Sequence, residues 1–270
     1  MANKRKVNVK WIGPDGNIDQ NKNTFLLRLL GNKVLKKKYS SNNINEVKEI
    51  ASQALRYLRK LFKEHELTSP YHNFGHNYVT AVTSIRGFIG ALRSKKNLSY
   101  RDLRIILVTS LFHDTGYLKD INSKKEKEIN VYNHSKNSTD LIQFFTKGIL
   151  KWDKRDLSTI IDLYKYPNYV NWNKNKSKVE KDILAKILVG ADFMQVVDKN
   201  YFKNLKVLKE LIRAKSIKKD KAGQRKFFEL SREVTDLIGV FIDTFYGSKE
   251  KNPYRKGWIR YEKTMKRNYM

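Results

Sequence analysis

Apolar residues recur at helical spacing along most of the chain from Ile44 onward, the repeat expected of helices that bury one face. Ile44 to His65 reads as an amphipathic helix with Val47, Ile50, Ala51, Ala54, Leu55, Leu58 and Phe62 on one side, stopped before Pro70. A second helix is predicted from about Gly75 to Ser94, burying Val79, Val82, Ile85, Ile89 and Leu92. A third starts after Ser99, a serine suited to an N-cap with the acidic Asp102 in the first turn. It ends near Asp114, where Thr115-Gly116 breaks the pattern. Lys119 to Asn133 is polar and reads as a loop over the rim of a site. Ser135 or Ser138 is placed to cap a fourth helix reaching about Leu150, and Asp153 or Asp156 to cap a fifth that ends before Pro167. Asn168 to Ser177, rich in Asn and Lys, reads as a loop. Lys178 to Val197 reads as one long apolar helix, followed by helices near Tyr201 to Lys215 and Gly223 to Tyr246 and a basic, aromatic tail after Gly247.

The first forty residues differ. Val7 to Ile12 followed by Pro14-Asp15-Gly16 suggests a short strand and a turn, the start of a β-hairpin. Thr24 to Leu30 is too short to assign from pattern. The expected architecture is therefore all-α: an N-terminal extension over residues 1–43, a helical core over 44–200 and further helices over 201–270 that pack on it.

Composition narrows the class. With 270 residues, 40% apolar and 31% charged, the chain can build a sizeable core. No stretch approaches the roughly 18 apolar residues of a membrane span, so no membrane association is expected. Basic Met1 to Lys10 is not followed by the apolar segment of a secretory signal. The absence of cysteine excludes disulfides and thiolate metal sites. The cytoplasm is the expected compartment. A net charge of +29, from 56 basic and 27 acidic residues, favours an anionic partner, nucleotide or nucleic acid. Lys outnumbers Arg and is spread along the chain, which fits an ordinary solvated surface as well.

The candidate chemistry lies in three separated places. In Tyr71-His72-Asn73-Phe74-Gly75-His76, two histidines stand four apart, a spacing that shares a helix face and suits a metal. Gly75 between them leaves a second arrangement open, one histidine a ligand and the other an acid or base. His113-Asp114 closes the apolar run Ile105 to Phe112, where both side chains reach one centre only because the helix ends there. Asp192 sits alone in Ile187 to Met194, with small Gly190 and Ala191 before it. A carboxylate buried without a partner costs several kcal/mol. A divalent cation removes that cost. The competing readings are a surface histidine pair, a helix cap and a salt-bridged aspartate.

The set His76, His113-Asp114 and Asp192 resembles the HD superfamily of metal-dependent phosphohydrolases. Tyr71-His72-Asn73-x-x-His76 is similar to the signature of cyclic-nucleotide phosphodiesterases and their bacterial relatives, as is LFHDTGY at Leu111 to Tyr117. The resemblance spans roughly Ile44 to Val197. It implies an HD-domain helical bundle in which His76, His113, Asp114 and Asp192 hold one divalent ion. Asp114 would bridge to a second ion, His72 would be the general acid, and Asn73 would orient a ligand. Where bacterial relatives often carry His-Glu-x-x-Ser, this chain has His134-Ser135-Lys136-Asn137-Ser138. His134 then remains for the second metal or the substrate phosphate, without the acidic neighbour.

The resemblance implies a hydrolase: a phosphodiesterase opening a cyclic nucleotide or cyclic oligonucleotide signal by a metal-bound hydroxide. One or two ions are expected, Mn, Fe, Zn or Co at the tight site and Mg or Mn at the watery one. The alternatives are an HD-type nuclease or nucleotide phosphohydrolase, and a nucleic-acid-binding protein with a vestigial HD site. Tyr117, Gln195 and Phe193, with Tyr164, are the candidates for contact with the substrate.

Overall fold

The computed structural model describes residues 23–65, 72–118, 134–147, 152–164, 166, 172–194 and 220–269. Every regular element among them is helical, so the all-α architecture predicted from periodicity is the one found. In chain order the helices are α1 (Asn23–Leu30), α2 (Lys33–Lys38), α3 (Ser41–Glu64), α4 (Phe74–Arg93), α5 (Tyr100–Phe112), α6 (His134–Phe145), α7 (Lys154–Leu163), α8 (Trp172–Lys181), α9 (Ile183–Phe193), α10 (Lys221–Tyr246) and α11 (Pro253–Tyr269). Single 3-10 turns occupy Thr115–Tyr117 and Lys249–Lys251. No helix among these residues is long and apolar enough to cross a membrane.

Helix α4 is the axis of the molecule. It packs against α1, α5, α9 and α10, and small or hydroxylated residues on it let the neighbours come close. A Cβ at Gly90 would overlap the Phe241 carbonyl of α10. Ile238 of α10 lies between Gly87 of α4 and Gly190 of α9, where an added Cβ would stand 2.7 and 2.6 Å from it. Helix α5 is apolar almost all round, with Leu103 and every residue from Ile105 to Phe112 buried. An amphipathic stripe would not do here, because α5 is covered by α3, α4, α6, α7 and α9.

Several boundaries follow local capping chemistry more closely than the hydrophobic pattern. Helix α3 begins three residues before Ile44, because the Ser40 hydroxyl accepts the Asn43 N–H. Ser99 and Asp102 form a full capping box at the start of α5. Asp153 caps α7; Asp156 instead receives Arg101 Nε at 2.6 Å. The fourth helix is capped by neither candidate serine: it starts at His134, and Ser138 lies inside it. Two expectations are corrected. The polar stretch 168–177 is helical from Trp172, which anchors α8 together with Val179 two turns later, both buried. The long helix expected from Lys178 to Val197 is broken at Asp182, whose carboxylate accepts the Leu184 and Ala185 N–H groups and starts α9 anew. The basic tail after Gly247 also carries a helix, α11.

The strand and turn expected near Val7 to Gly16, and the helix expected near Tyr201 to Lys215, lie outside the described residues. Residues 23–38, which the pattern left unassigned, form α1 and α2. Leu26, Leu30 and Leu35 are fully buried, and both helices lie against α3 and α4.

Candidate metal centre

Three helix ends meet at one buried point. His76 stands in the first turn of α4, His113 and Asp114 follow the last residue of α5, and Asp192 is in the last turn of α9. The ends are fixed locally. Asn73 Oδ1 accepts the His76 backbone N–H at 3.0 Å, which caps α4 and sets the turn carrying the histidine. Beyond α5, the Thr115 hydroxyl donates to the Phe112 carbonyl at 2.8 Å. Ser138 of α6 then donates to the His113 carbonyl at 2.9 Å and accepts the Gly116 N–H at 2.8 Å. Ser138 is fully buried and pins the turn that presents His113 and Asp114. Sequence reasoning offered this serine as a helix cap and missed its hold on the turn, because the contact reaches back across 25 residues.

The donor atoms are close enough to share one ion. His76 Nε2 lies 3.1 Å from His113 Nε2, 2.9 Å from Asp114 Oδ2 and 3.0 Å from Asp192 Oδ1. His113 Nε2 lies 3.2 and 3.4 Å from the same two oxygens. Neighbouring ligands at bond lengths of 2.0–2.2 Å, set 90–109° apart around one ion, are separated by roughly 3.0–3.5 Å. The four residues form the metal-capable cluster found among the described residues.

Proton accounting favours an ion over a set of salt bridges. A carbonyl oxygen only accepts, so His113 Nδ1, 2.9 Å from the Ser110 carbonyl, carries a proton. Neutral His113 therefore turns its Nε2 lone pair toward His76 Nε2 and two carboxylate oxygens. Doubly protonated, it would set one N–H against another 3.1 Å away whenever His76 Nε2 also served the carboxylates. A cation among the four atoms meets every lone pair at once. The C-terminal ends of α5 and α9 add their negative dipole ends to the same point.

Without an ion, the groups hold charge for each other. Burial works against charging His76 and His113, but Asp114 and Asp192 outweigh it, raising His76 and pushing His113 up to about 10. Burial likewise opposes ionising the acids. The histidines overcome it, holding Asp114 well below the usual carboxylate range and Asp192 at about 2. The cluster thus keeps its acids ionised and its histidines ready to exchange protons for a metal.

The other sequence candidates fall at different places. His72 precedes α4, so the two histidines do not share a helix face. Its ring stacks on Tyr117, centroids 3.8 Å apart and 7° from parallel, and its Nε2 is 3.8 Å from Asp114 Oδ2. Tyr117 is buried, and burial together with Asp114 and Asp192 raises its phenol. Phe193 is partly buried against the core next to Asp192. Tyr164, at the end of α7, is buried. His134 opens α6, but its side chain, like Gln195, lies outside the described residues. Compared with known proteins, the sequence matches no family model and no curated protein.

Proposed function

We propose that this chain is a metal-dependent phosphoric ester hydrolase of the HD type, a phosphodiesterase that opens a cyclic nucleotide or cyclic oligonucleotide. The observation that carries this reading is the meeting of His76, His113, Asp114 and Asp192 in one donor shell with the His72 imidazole at its edge. Two nitrogens and two carboxylate oxygens suit Mn²⁺, Fe²⁺, Zn²⁺ or Co²⁺, and such an ion supplies Lewis acidity toward a phosphoryl oxygen and an acidified water.

The chain's own residues supply the rest. His72 is held flat by Tyr117, which fixes the plane of its ring. At 3.8 Å its Nε2 is too far from Asp114 Oδ2 for a strong hydrogen bond. That position at the edge of the donor shell suits a general acid, which delivers a proton to the departing ester oxygen. His72 and Tyr117 are both buried, which limits the water that competes for the proton. The net charge of +29 draws anionic substrates toward the molecule.

The test is a screen with added Mn²⁺ of bis(p-nitrophenyl) phosphate, 3′,5′- and 2′,3′-cyclic nucleotides, cyclic di- and trinucleotides, and short RNA. Turnover that disappears in chelator, returns with Mn²⁺ and is absent from Asp114→Ala is the expected result. Turnover that persists in chelator, or in Asp114→Ala, overturns the reading. Cleavage of RNA alone would move the assignment to a nuclease.

A further inference from the structure

Among the described residues, the tightest ring contact lies at the edge of the metal centre. The His72 imidazole and the Tyr117 phenol stand 3.8 Å apart at their centroids, 7° from parallel. No other aromatic pair there comes nearer than 4.9 Å or closer to parallel than 21°. With planes a van der Waals distance of about 3.5 Å apart, the centroids are offset by only ~1.5 Å, so most of the imidazole lies over the phenol. Both residues are buried. An imidazole's last torsion is broad and does not choose its own plane. Here the phenol face chooses it, and the His76 ring stands perpendicular to His72 at 5.8 Å.

The phenol is tied to the donor shell through its backbone. The Tyr117 N–H donates to the Asp114 carbonyl at 3.1 Å, closing the 3-10 turn that follows this aspartate. Ser138 accepts the Gly116 N–H of the same turn at 2.8 Å. One short turn thus carries both Asp114 and the surface on which His72 rests. The stacked ring has its Nε2 3.8 Å from Asp114 Oδ2. The stack also takes one face of the phenol out of use for a nucleotide base.

We propose that Tyr117 is a positioning residue: its ring is the platform that holds the His72 imidazole in the plane from which it serves the departing ester oxygen. This inference rests on the phosphohydrolase reading above, and it replaces contact with the substrate as the role of Tyr117. The task needs a flat ring and not a hydroxyl. Proton delivery depends on alignment, and a misplacement of about 1 Å costs ~10²-fold. The loss should appear where the leaving oxygen needs a proton. Phenolate, the more basic leaving group, gains from one; p-nitrophenolate, a stabilised anion, departs readily without it.

Bis(p-nitrophenyl) phosphate and diphenyl phosphate, alike in shape and different in leaving group, read this out in the Mn²⁺-loaded protein. In Tyr117→Leu, kcat for diphenyl phosphate is expected to fall ten- to a hundredfold, with KM and the bis(p-nitrophenyl) phosphate rate within about threefold of wild type. Tyr117→Phe should recover most of the loss, and in a His72→Ala background Tyr117→Leu should add less than about twofold. A second readout needs no turnover. In NMR spectra of the Zn²⁺-loaded protein, the phenol's ring current should hold the His72 ring protons upfield in wild type and Tyr117→Phe. Tyr117→Leu should release them. With five histidines in the chain, His72 is assigned by the signal missing from His72→Ala. An unshifted His72 signal in wild type overturns the proposal even if Tyr117→Leu does not fold. Equal losses on both esters, or a full further loss in the double variant, also overturn it and leave the hydrolase reading intact. A wild-type protein that hydrolyses neither these esters nor the screened nucleotides sinks the hydrolase reading, and the role of Tyr117 with it.

Discussion

His113 donates its Nδ1–H to the Ser110 carbonyl 2.9 Å away, so the ring can offer only its Nε2 to the point where Asp114 and Asp192 converge. One backbone carbonyl thus sets the tautomer of a ligand. His113→Ala or Asp114→Ala is expected to weaken Mn²⁺ binding at least a hundredfold. At a Mn²⁺ concentration 100 times its Kd the wild-type protein should gain about 2.7 kcal/mol, and these variants almost none. Thermal unfolding with and without Mn²⁺ measures this directly; equal stabilisation of wild type and Asp114→Ala would rule the centre out.

The same cluster predicts a pH dependence with a definite sign. In the metal-free protein His113 is raised to about 10, so its contribution is complete below its unfolded value near 6.5 and fades as pH climbs through 10. Asp192 is depressed to about 2, so its contribution is present above roughly 3.9 and disappears as pH falls through 2. An incoming ion must displace the histidine protons. Mn²⁺ affinity should therefore increase between about pH 6.5 and 10, with protons released on binding. Calorimetry in buffers of different ionisation enthalpy counts them; zero release at pH 7.5 contradicts the scheme.

Much of this could be read from the chain. The helical periodicity places α3, α4, α5 and α10, and polar residues stranded in apolar runs single out His113, Asp114 and Asp192. What escaped has a physical reason in each case. Asp182 looks like one polar position on a continuous apolar pattern, yet it caps a new helix by accepting two N–H groups. Trp172 and Val179 anchor a helix whose other residues are Asn, Lys, Ser and Glu, so the buried face is too thin to outweigh the polar average. Ser138 acts through a contact that exists only once α6 lies against the turn after α5, and no local pattern encodes it.

His72 is expected to act in turnover and not in metal retention, since Asp114 Oδ2 is 2.9 Å from His76 Nε2 but 3.8 Å from His72 Nε2. His72→Ala should leave Mn²⁺ content near wild type while lowering kcat by ~10²–10⁴. Metal analysis of the purified variant beside its kinetics is the check. Loss of the ion from His72→Ala would make it a ligand and not an acid.

Gly90→Ala tests the scaffold apart from the chemistry. The new methyl would overlap the Phe241 carbonyl of α10, and neither backbone can yield without moving a helix. Destabilisation of about 2–4 kcal/mol is expected, despite the helix propensity that alanine adds. Chemical denaturation measures it; a variant as stable as wild type would mean that α4 and α10 do not pack this closely.

The contact that joins α11 to α10 should carry an acid-sensitive share of stability. Arg255 Nε donates to both Asp243 oxygens at 2.8 Å, and Asn252 Nδ2 donates to Oδ1 at 2.9 Å. Burial disfavours the Asp243 carboxylate, but these hydrogen bonds outweigh it and lower its pKa. A depressed acid stabilises above its unfolded value near 3.9 and loses that effect as pH falls below it. Because the Arg255 side chain is 38% exposed, solvent screens the pair, and about 1 kcal/mol or less is expected at pH 7. Asp243→Asn keeps the shape and removes the charge. The stability gap between wild type and this variant should be widest above pH 4 and narrow as pH falls below it, and in Arg255→Gln the same substitution should cost less. A gap of equal size at pH 3 and pH 7 would show that shape, and not charge, holds the C-terminal helix in place.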